Sequence, residues 1–303
     1  MPALSRRIRS KIGPANFRYV AGTRLSRRAN SASNSNPTDI DEVVDVAAAV
    51  SAAKESDVVV LCLGEGSYTE HPGSIADLTL PEIQLKFAEQ IIESGKPVVL
   101  VLLQGRPRVI SRIADKVSGI IAAMNPGNEG GRAIADVLFG DYNPNGKLPF
   151  TYPRSPGYLT TYDANVFERV MDARKLPTFL PQFEFGSGLS YTTFEYSNLR
   201  VTPTTVSAGS KINVSIDVKN TGSRAGKETM ILYLRDEVAT LTPAAKRVRR
   251  FAKIDLAAGE TRRVDFTLRP EDLAYIGIDN KPVIEPGEFT ILVGGQSAKV
   301  KVR

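Results

Sequence analysis

The sequence contains three largely apolar runs of seven residues, separated by segments with helical periodicity. The runs are VVVLCLG (58–64), PVVLVLL (97–103) and SGIIAAM (118–124). Runs that are apolar at nearly every position are typical of strands buried on both faces of a parallel sheet. Helices are predicted between them over 81–94 and 108–116. The alternation therefore predicts right-handed βαβ units.

The residues before these runs extend the same alternation toward the amino terminus. A short strand is predicted over 17–22 and a loop over 23–37. A helix is predicted over 38–56, with Thr38 or Asp39 as its cap, because apolar residues recur there at helical spacing.

The residues from 194 onward have an all-β pattern. Six short segments alternate with turn signals such as Asn220-Thr221-Gly222: 194–202, 211–222, 229–236, 247–256, 261–269 and 287–295. Short strands at regular spacing predict a β-sandwich of the immunoglobulin kind. The predicted fold class is a mostly parallel α/β sheet sandwiched by helices (1–140), an ordered connecting segment (141–193) and an all-β sandwich (194–303).

The positive charge is concentrated at the amino terminus. Residues 1–28 hold eight basic side chains and no acidic one, and the remainder holds 31 basic against 33 acidic residues. A basic arm of this kind is one form of nucleic-acid site. A solvated helix face or a frayed end is favoured instead, because only Phe17 and Tyr19 offer aromatic stacking there. No nucleic-acid partner is predicted.

Several classes of site are excluded by residue counts. Cys62 and His71 are each the only residue of their type, which excludes an internal disulfide and zinc sites built on several cysteines or histidines. No metal and no cofactor are predicted. No apolar run reaches the roughly 18 residues of a membrane span, and MPALSRRIRS lacks the apolar stretch of a secretory signal. These observations predict no membrane partner and leave the compartment open.

The loop after the first apolar run is unusually long. It reads GEGSYTEHPGSIADLTLP over 64–81, whereas connections in such units need about 2–6 residues. Loops at the carboxyl ends of parallel strands carry function, and the segments 104–107 and 125–130 occupy the same kind of position. Of the three, the loop over 64–80 is the strongest candidate for a functional site.

Three carboxylates in this loop are candidates for acid–base chemistry. Hydrolysis of a glycosidic bond needs one carboxylic acid to protonate the leaving oxygen and a second carboxylate across the sugar. Glu70 lies mid-loop, farthest from both anchors, and is the best candidate for the acid. Glu65 is expected to bond backbone groups and order the loop, and Asp77 to support the amino end of the next helix. On spacing alone, a solvated loop carboxylate is the default interpretation of Glu70.

Four segments, in order and at the right spacing, resemble glycoside hydrolase family 3. They lie at 49–65, 78–107, 125–155 and 183–201. The resemblance implies an α/β domain that follows a barrel and precedes a fibronectin type III-like domain. It implies a retaining β-glucosidase-type enzyme that hydrolyses O-glycosyl bonds, with a β-linked glucoside or oligosaccharide as substrate.

The resemblance also assigns roles within the loop. One branch of the family carries its acid/base glutamate in a stretch resembling Gly-Glu-x-x-Tyr-x-Glu, which Gly64, Glu65, Tyr68 and Glu70 match. Glu70 is thereby expected to be the acid/base, with Glu65, Tyr68 and Asp77 as loop support. The β-N-acetylglucosaminidase branch uses a His/Asp pair on the barrel, which would make this loop non-catalytic.

No segment of the chain resembles the nucleophile motif of the family. The barrel that carries it is not recognised in these 303 residues, and LSRRIRSKIG resembles the helix after the first strand of the α/β domain. The nucleophile is therefore expected from a barrel domain, possibly supplied in trans, and the chain alone is expected to lack normal turnover. The alternatives are an inactive carbohydrate-binding or structural module, or a gene fragment. Members of the family are often periplasmic or secreted.

Three further motifs have both a structural and a functional interpretation. The glycines of 127–131 open a predicted helix that runs to Leu138. The resemblance implies tight packing of that helix on the sheet, and a phosphate site is the alternative. Phe183, Phe185 and Tyr191 are expected to be core anchors, with sugar stacking as the alternative. The basic stretch 246–250 is expected to form a solvated strand face.

Overall fold

The computed structural model describes residues 2–26, 40–66, 75–158, 162, 180–207 and 209–303. The chain divides into two compact units. The first comprises Met1–Tyr142 and Tyr152–Tyr158, and the second comprises Asn143–Thr151 and Leu159–Arg303. The predicted connecting segment 141–193 thus contributes to both units, and the predicted domain boundaries stay predictions.

The first unit alternates strands with helices. In chain order its elements are α1 (Pro2–Ile12), β1 (Thr23–Ser26), β2 (Ile40–Val43), α2 (Val46–Lys54), β3 (Val59–Gly64), α3 (Glu82–Ile92), β4 (Val98–Leu103), α4 (Ser111–Ala114), β5 (Gly119–Met124) and α5 (Gly130–Leu138).

The three apolar runs form a parallel sheet in the order β3-β4-β5, which confirms the predicted α/β class. The central strand β4 is the most deeply buried, and Leu100, Val101 and Leu102 have no exposed surface. Leu85 and Ile91 of α3 are also buried. The carboxyl ends of β3 and β4 lie side by side, since Gly64 pairs with Leu103.

Before residue 56, one predicted strand is absent and one predicted helix begins later than expected. Residues 17–22 form no strand. The neighbouring residues Arg18 and Tyr19 are both exposed, so the segment lacks the period-two alternation of a strand that packs one face on a core. The strand lies just after it, in β1, which pairs antiparallel with β2. The helix predicted over 38–56 begins only at α2, because the Asp45 carboxylate accepts the Ala48 N–H at 2.8 Å and caps the helix there.

The first part of the basic arm forms the amphipathic helix α1, whose arginines Arg6, Arg7 and Arg9 lie on the exposed face. On the opposite face Leu4 and Ile8 are buried in a cluster with Ile134 of α5. A Cβ at Gly131 would lie 2.7 Å from the Leu4 backbone nitrogen. At Gly131 the tight packing is therefore helix on helix, while the same helix packs on the sheet through Ile134, which shares a buried cluster with Val101 of β4.

Cys62 lies within β3, and burial raises the pKa of its thiol to about 11. We predict that alkylation at pH 8 is roughly a hundredfold slower in the folded chain than in urea, because the thiolate is the reacting species and a free cysteine has a pKa near 8.5. The measurement is the rate of iodoacetamide labelling with and without denaturant. Equal rates would contradict the assigned burial.

The second unit contains the predicted sandwich. Its elements are β6 (Phe194–Thr202), β7 (Thr205–Val206), β8 (Ile212–Asn220), β9 (Gly226–Asp236), β10 (Arg247–Leu256), β11 (Thr261–Leu268), α6 (Pro270–Leu273), β12 (Tyr275–Ile276), β13 (Pro282–Val283), β14 (Gly287–Val293) and β15 (Gln296–Val302).

Two sheets form the sandwich, ordered β11-β8-β6 and β10-β9-β14-β15-β7. Their inner faces supply one continuous core that includes Ile216, Leu232, Phe289 and Val300. All six predicted strands are present. The prediction omitted β15, which pairs with β14 along its length.

Two expectations for the second unit are wrong. The stretch 246–250 is not one solvated face, because the register shifts between Val248 and Arg250. Arg250 turns to Asp272 and donates two hydrogen bonds to its carboxylate, at 2.8 and 2.5 Å. Tyr191 is no core anchor, since it is 43% exposed, whereas the ring of Phe185 packs edge-on against Tyr233.

Candidate functional site

The long loop leaves the sheet at Gly64, the last residue of β3, and returns at Leu80, just before α3. Residues 67–74, which include Tyr68 and Glu70, lie outside the described residues. The roles predicted for both therefore stay predictions. The two stems of the loop, 64–66 and 75–80, are described in full.

The first stem is fixed at Gly64 by a buried amide. Gln84 on α3 is 2% exposed; its Oε1 accepts the Gly64 N–H and its Nε2 donates to the Gly64 carbonyl, both at 2.9 Å. Gly64 has φ +148°, and a Cβ there would lie 1.8 Å from the Leu103 carbonyl oxygen. Only glycine allows this close approach at the point where the loop leaves the sheet.

Glu65 extends the first stem onto the segment that follows β4. Its side chain is 6% exposed. Glu65 Oε2 accepts the backbone N–H groups of Gly105 and Arg106 at 3.1 and 3.3 Å, and Oε1 accepts Arg106 Nε at 2.9 Å. Arg108 Nε lies 3.6 Å from Oε1. A buried carboxylate whose two oxygens accept this many hydrogen bonds is held in one place, which suits an anchor of the loop.

The second stem is fixed by a short turn. Asp77 Oδ1 accepts the Thr79 N–H at 2.7 Å. Hydrogen bonding from the side chain and then the backbone N–H of Thr79, helped by the charge of Arg108, lowers the pKa of Asp77. Val109 donates its N–H to the Leu78 carbonyl at 2.8 Å and accepts the Leu80 N–H at 3.1 Å. Asp77 therefore orders the turn before the helix, and its predicted support of the helix end stays a prediction.

Both stems rest on the same short segment, 104–109. Glu65 bonds its beginning and Val109 pairs with the second stem, while Arg108 Nη1 donates to the Asp77 carbonyl at 3.3 Å. The carboxylates at the stems were visible as candidates in the sequence. Their partners Gln84 and Arg108 were not, because nothing in the spacing of a glutamine on a helix or an arginine in a loop indicates a contact with the stem.

The described residues contain no group of three or more His, Cys, Asp or Glu side chains that could hold a metal ion. Among the same residues, no helix is long and apolar enough to cross a membrane.

Comparison with known families decides how these stems are interpreted. The family model described as the glycosyl hydrolase family 3 C-terminal domain matches residues 6–191. The chain belongs to glycosyl hydrolase family 3. The model of the fibronectin type III-like domain matches residues 228–297, within the sandwich. Both matches confirm the predicted family and fold class.

Relatives in this family include named β-glucosidases. The chain is 35% identical over 96% of its length to a lysosomal beta glucosidase of Dictyostelium discoideum. The structure of a β-glucosidase from Erythrobacter marinus matches 99% of the chain with a TM-score of 0.84 and 32% identity, and 43% of that chain is covered. The structure of the β-glucosidase of Listeria innocua in complex with glucose matches 86% of this chain, with a TM-score of 0.79 and 32% identity. The match covers 39% of the Listeria chain.

The matched region is one part of these longer proteins. The chain spans about a third of the length of the curated relatives it matches: 35% of the Dictyostelium protein.

Proposed function

We propose that this chain contributes the general acid/base of a retaining β-glucosidase-type hydrolase, and that Glu70 is that residue. One observation carries the proposal: both stems of the loop that contains Glu70 are fixed at this edge of the sheet. The buried side chains of Gln84 and Glu65 hold the first stem, and the backbone of Val109 pairs with the second. A catalytic acid needs a defined position relative to the bond that it protonates.

The proposed reaction has two steps. Glu70 protonates the glycosidic oxygen while a carboxylate nucleophile attacks the anomeric carbon and forms a glycosyl-enzyme. Glu70, now ionised, then takes a proton from water, which attacks the same carbon and releases the sugar with its configuration retained. The proposed nucleophile belongs to a barrel domain outside these 303 residues, supplied in the same polypeptide or in trans.

A β-linked glucoside is the proposed substrate class. The names of the relatives support it, since the Dictyostelium protein is called a β-glucosidase and the Listeria β-glucosidase was solved in complex with glucose. No metal or cofactor enters the proposed mechanism, because both steps need only two carboxylates and water.

The proposal is tested by combining the chain with a matching family 3 barrel polypeptide, either mixed or fused upstream. We expect hydrolysis of an aryl β-glucoside only when both parts are present, with β-glucose as the first product by NMR. A barrel that hydrolyses the glucoside equally well without the chain would contradict the role given to the chain. So would a first product of α configuration.

A further inference from the structure

Among the described residues of the first unit, Tyr152 is the largest fully buried side chain, and it is 1% exposed. It lies far along the chain from the loop, in the connecting segment predicted over 141–193. Its hydroxyl accepts a hydrogen bond from Gln104 Nε2 at 2.9 Å and donates one to the Arg108 carbonyl at 2.7 Å. Burial raises the pKa of Tyr152 to about 12, so it remains a neutral donor.

These two bonds lie at the two ends of the segment that receives both stems. Gln104 precedes the N–H groups of Gly105 and Arg106, which Glu65 accepts. Arg108 precedes Val109, whose backbone pairs with the second stem. One hydroxyl therefore bridges the beginning and the end of the segment that holds the loop.

We propose that Tyr152 is a positioning residue, which sets where the two stems stand and thereby where the loop presents Glu70. The inference rests on the proposed function for its effect on catalysis, but the contact itself concerns described residues alone. Tyr152 touches neither substrate nor reacting atoms in this account and acts only through the segment 104–109.

The Tyr152 hydroxyl, rather than its ring, makes the two contacts that hold the segment 104–109. Phenylalanine keeps the ring packing but leaves the Gln104 amide and the Arg108 carbonyl without their shared partner in a buried place. The Gln104 Oε1 atom is itself buried with no hydrogen-bond partner among the described residues, so no second bond holds that amide in its present orientation. An unsatisfied buried group is costly enough to favour a shift of the segment.

The first test is amide hydrogen exchange on the 303-residue chain bearing Tyr152→Phe. We expect exchange about tenfold faster at Glu65, Val109 and Leu80, whose amides join the two stems to this edge of the sheet. Exchange at Leu100 in β4 should not change. Unchanged exchange at the stems, or equal acceleration throughout β4, would overturn the proposal.

The matched control is Tyr196→Phe in the sandwich. Tyr196 is another tyrosine with a hydrogen-bonded hydroxyl, which donates to Glu228 Oε1 at 2.8 Å, and it lies in the second unit. This control should leave exchange at the stems as it is. If Tyr152→Phe does not fold, Gln104→Ala removes the donor partner of the same hydroxyl. It should accelerate the same stem amides, and unchanged stems in that variant would overturn the proposal.

The second test measures kcat/KM in the barrel-complemented protein with two β-glucosides. For Tyr152→Phe we expect a loss of about tenfold with a poor leaving group, because a displaced acid transfers its proton less well. We expect little change with dinitrophenyl glucoside, which needs no proton. Equal loss with both substrates would indicate a purely structural role and overturn the proposal.

The two tests separate this inference from the proposed function. If Glu70→Gln shows no dependence on the leaving group, the proposed function fails, and the exchange experiment still decides whether Tyr152 sets the stems. If Glu70→Gln shows the dependence but Tyr152→Phe changes neither exchange nor rates, the positioning role alone fails.

Discussion

Replacing Glu70 with Gln in the barrel-complemented protein is expected to reduce kcat/KM for a β-glucoside with a poor leaving group by about 10²–10⁴-fold. An alkoxide or unactivated phenolate leaves slowly unless it is protonated, and glutamine cannot donate that proton. The value for 2,4-dinitrophenyl β-glucoside should stay within about tenfold, because this leaving group departs as a stable anion. The measurement is kcat/KM for both substrates, which reports the first chemical step.

A matched control is Glu93→Gln in the same unit. Glu93 follows the last turn of α3 and is exposed, so the same change of charge should leave both substrates unaffected. Equal loss with the two substrates in Glu70→Gln would indicate damage to folding or binding. No loss with the poor leaving group would remove Glu70 from the mechanism.

The second large effect is expected from Asn220→Ala in the sandwich. Asn220 has no exposed surface, and its amide makes four hydrogen bonds. Its Oδ1 accepts from Thr192 Oγ1 and the Gly222 N–H, and its Nδ2 donates to the carbonyls of Arg224 and Leu256. Alanine leaves these groups unsatisfied, so we expect a loss of about 3 kcal/mol or more in the free energy of unfolding of this unit.

The measurement is urea unfolding followed by circular dichroism, in which such a loss lowers the midpoint by about 1–3 M. Asn213→Ala is the matched control, since Asn213 lies on the same strand β8 and is exposed. That variant should change the stability by less than about 0.5 kcal/mol. Equal effects of the two substitutions would contradict the role given to Asn220.

Strands in which burial repeats along the sequence, at every residue or at every second residue, were predicted well. The parallel strands are apolar at nearly every position because helices cover both faces, and they lie within one or two residues of the predicted bounds. The six predicted sandwich strands alternate polar and apolar residues. Strand β15 was omitted although its Lys299 and Lys301 alternate with the buried Val300 and Val302, because the prediction ended the last strand at the Gly294-Gly295 turn.

Features that depend on single contacts were not predictable. The start of α2 is set by one hydrogen bond, which the Asp45 carboxylate accepts from the Ala48 N–H. The apolar periodicity of the sequence continues upstream of Asp45 and therefore does not indicate where the helix begins. Tyr152 and Gln84 reach the stems from distant parts of the chain, and neither belongs to a pattern with a period. The loop was found from its length and its carboxylates, whereas the groups that fix its stems are visible only in the fold.

The most direct test of the central claim is rescue of Glu70→Ala by azide in the barrel-complemented protein with dinitrophenyl β-glucoside. Without the base, the glycosyl-enzyme is expected to accumulate; azide needs no deprotonation and attacks the anomeric carbon, displacing the enzyme carboxylate. We predict that azide raises kcat and that NMR identifies β-glucosyl azide as the product. A rate that does not respond to azide, or glucose as the only product, would contradict the assignment of Glu70 as the acid/base.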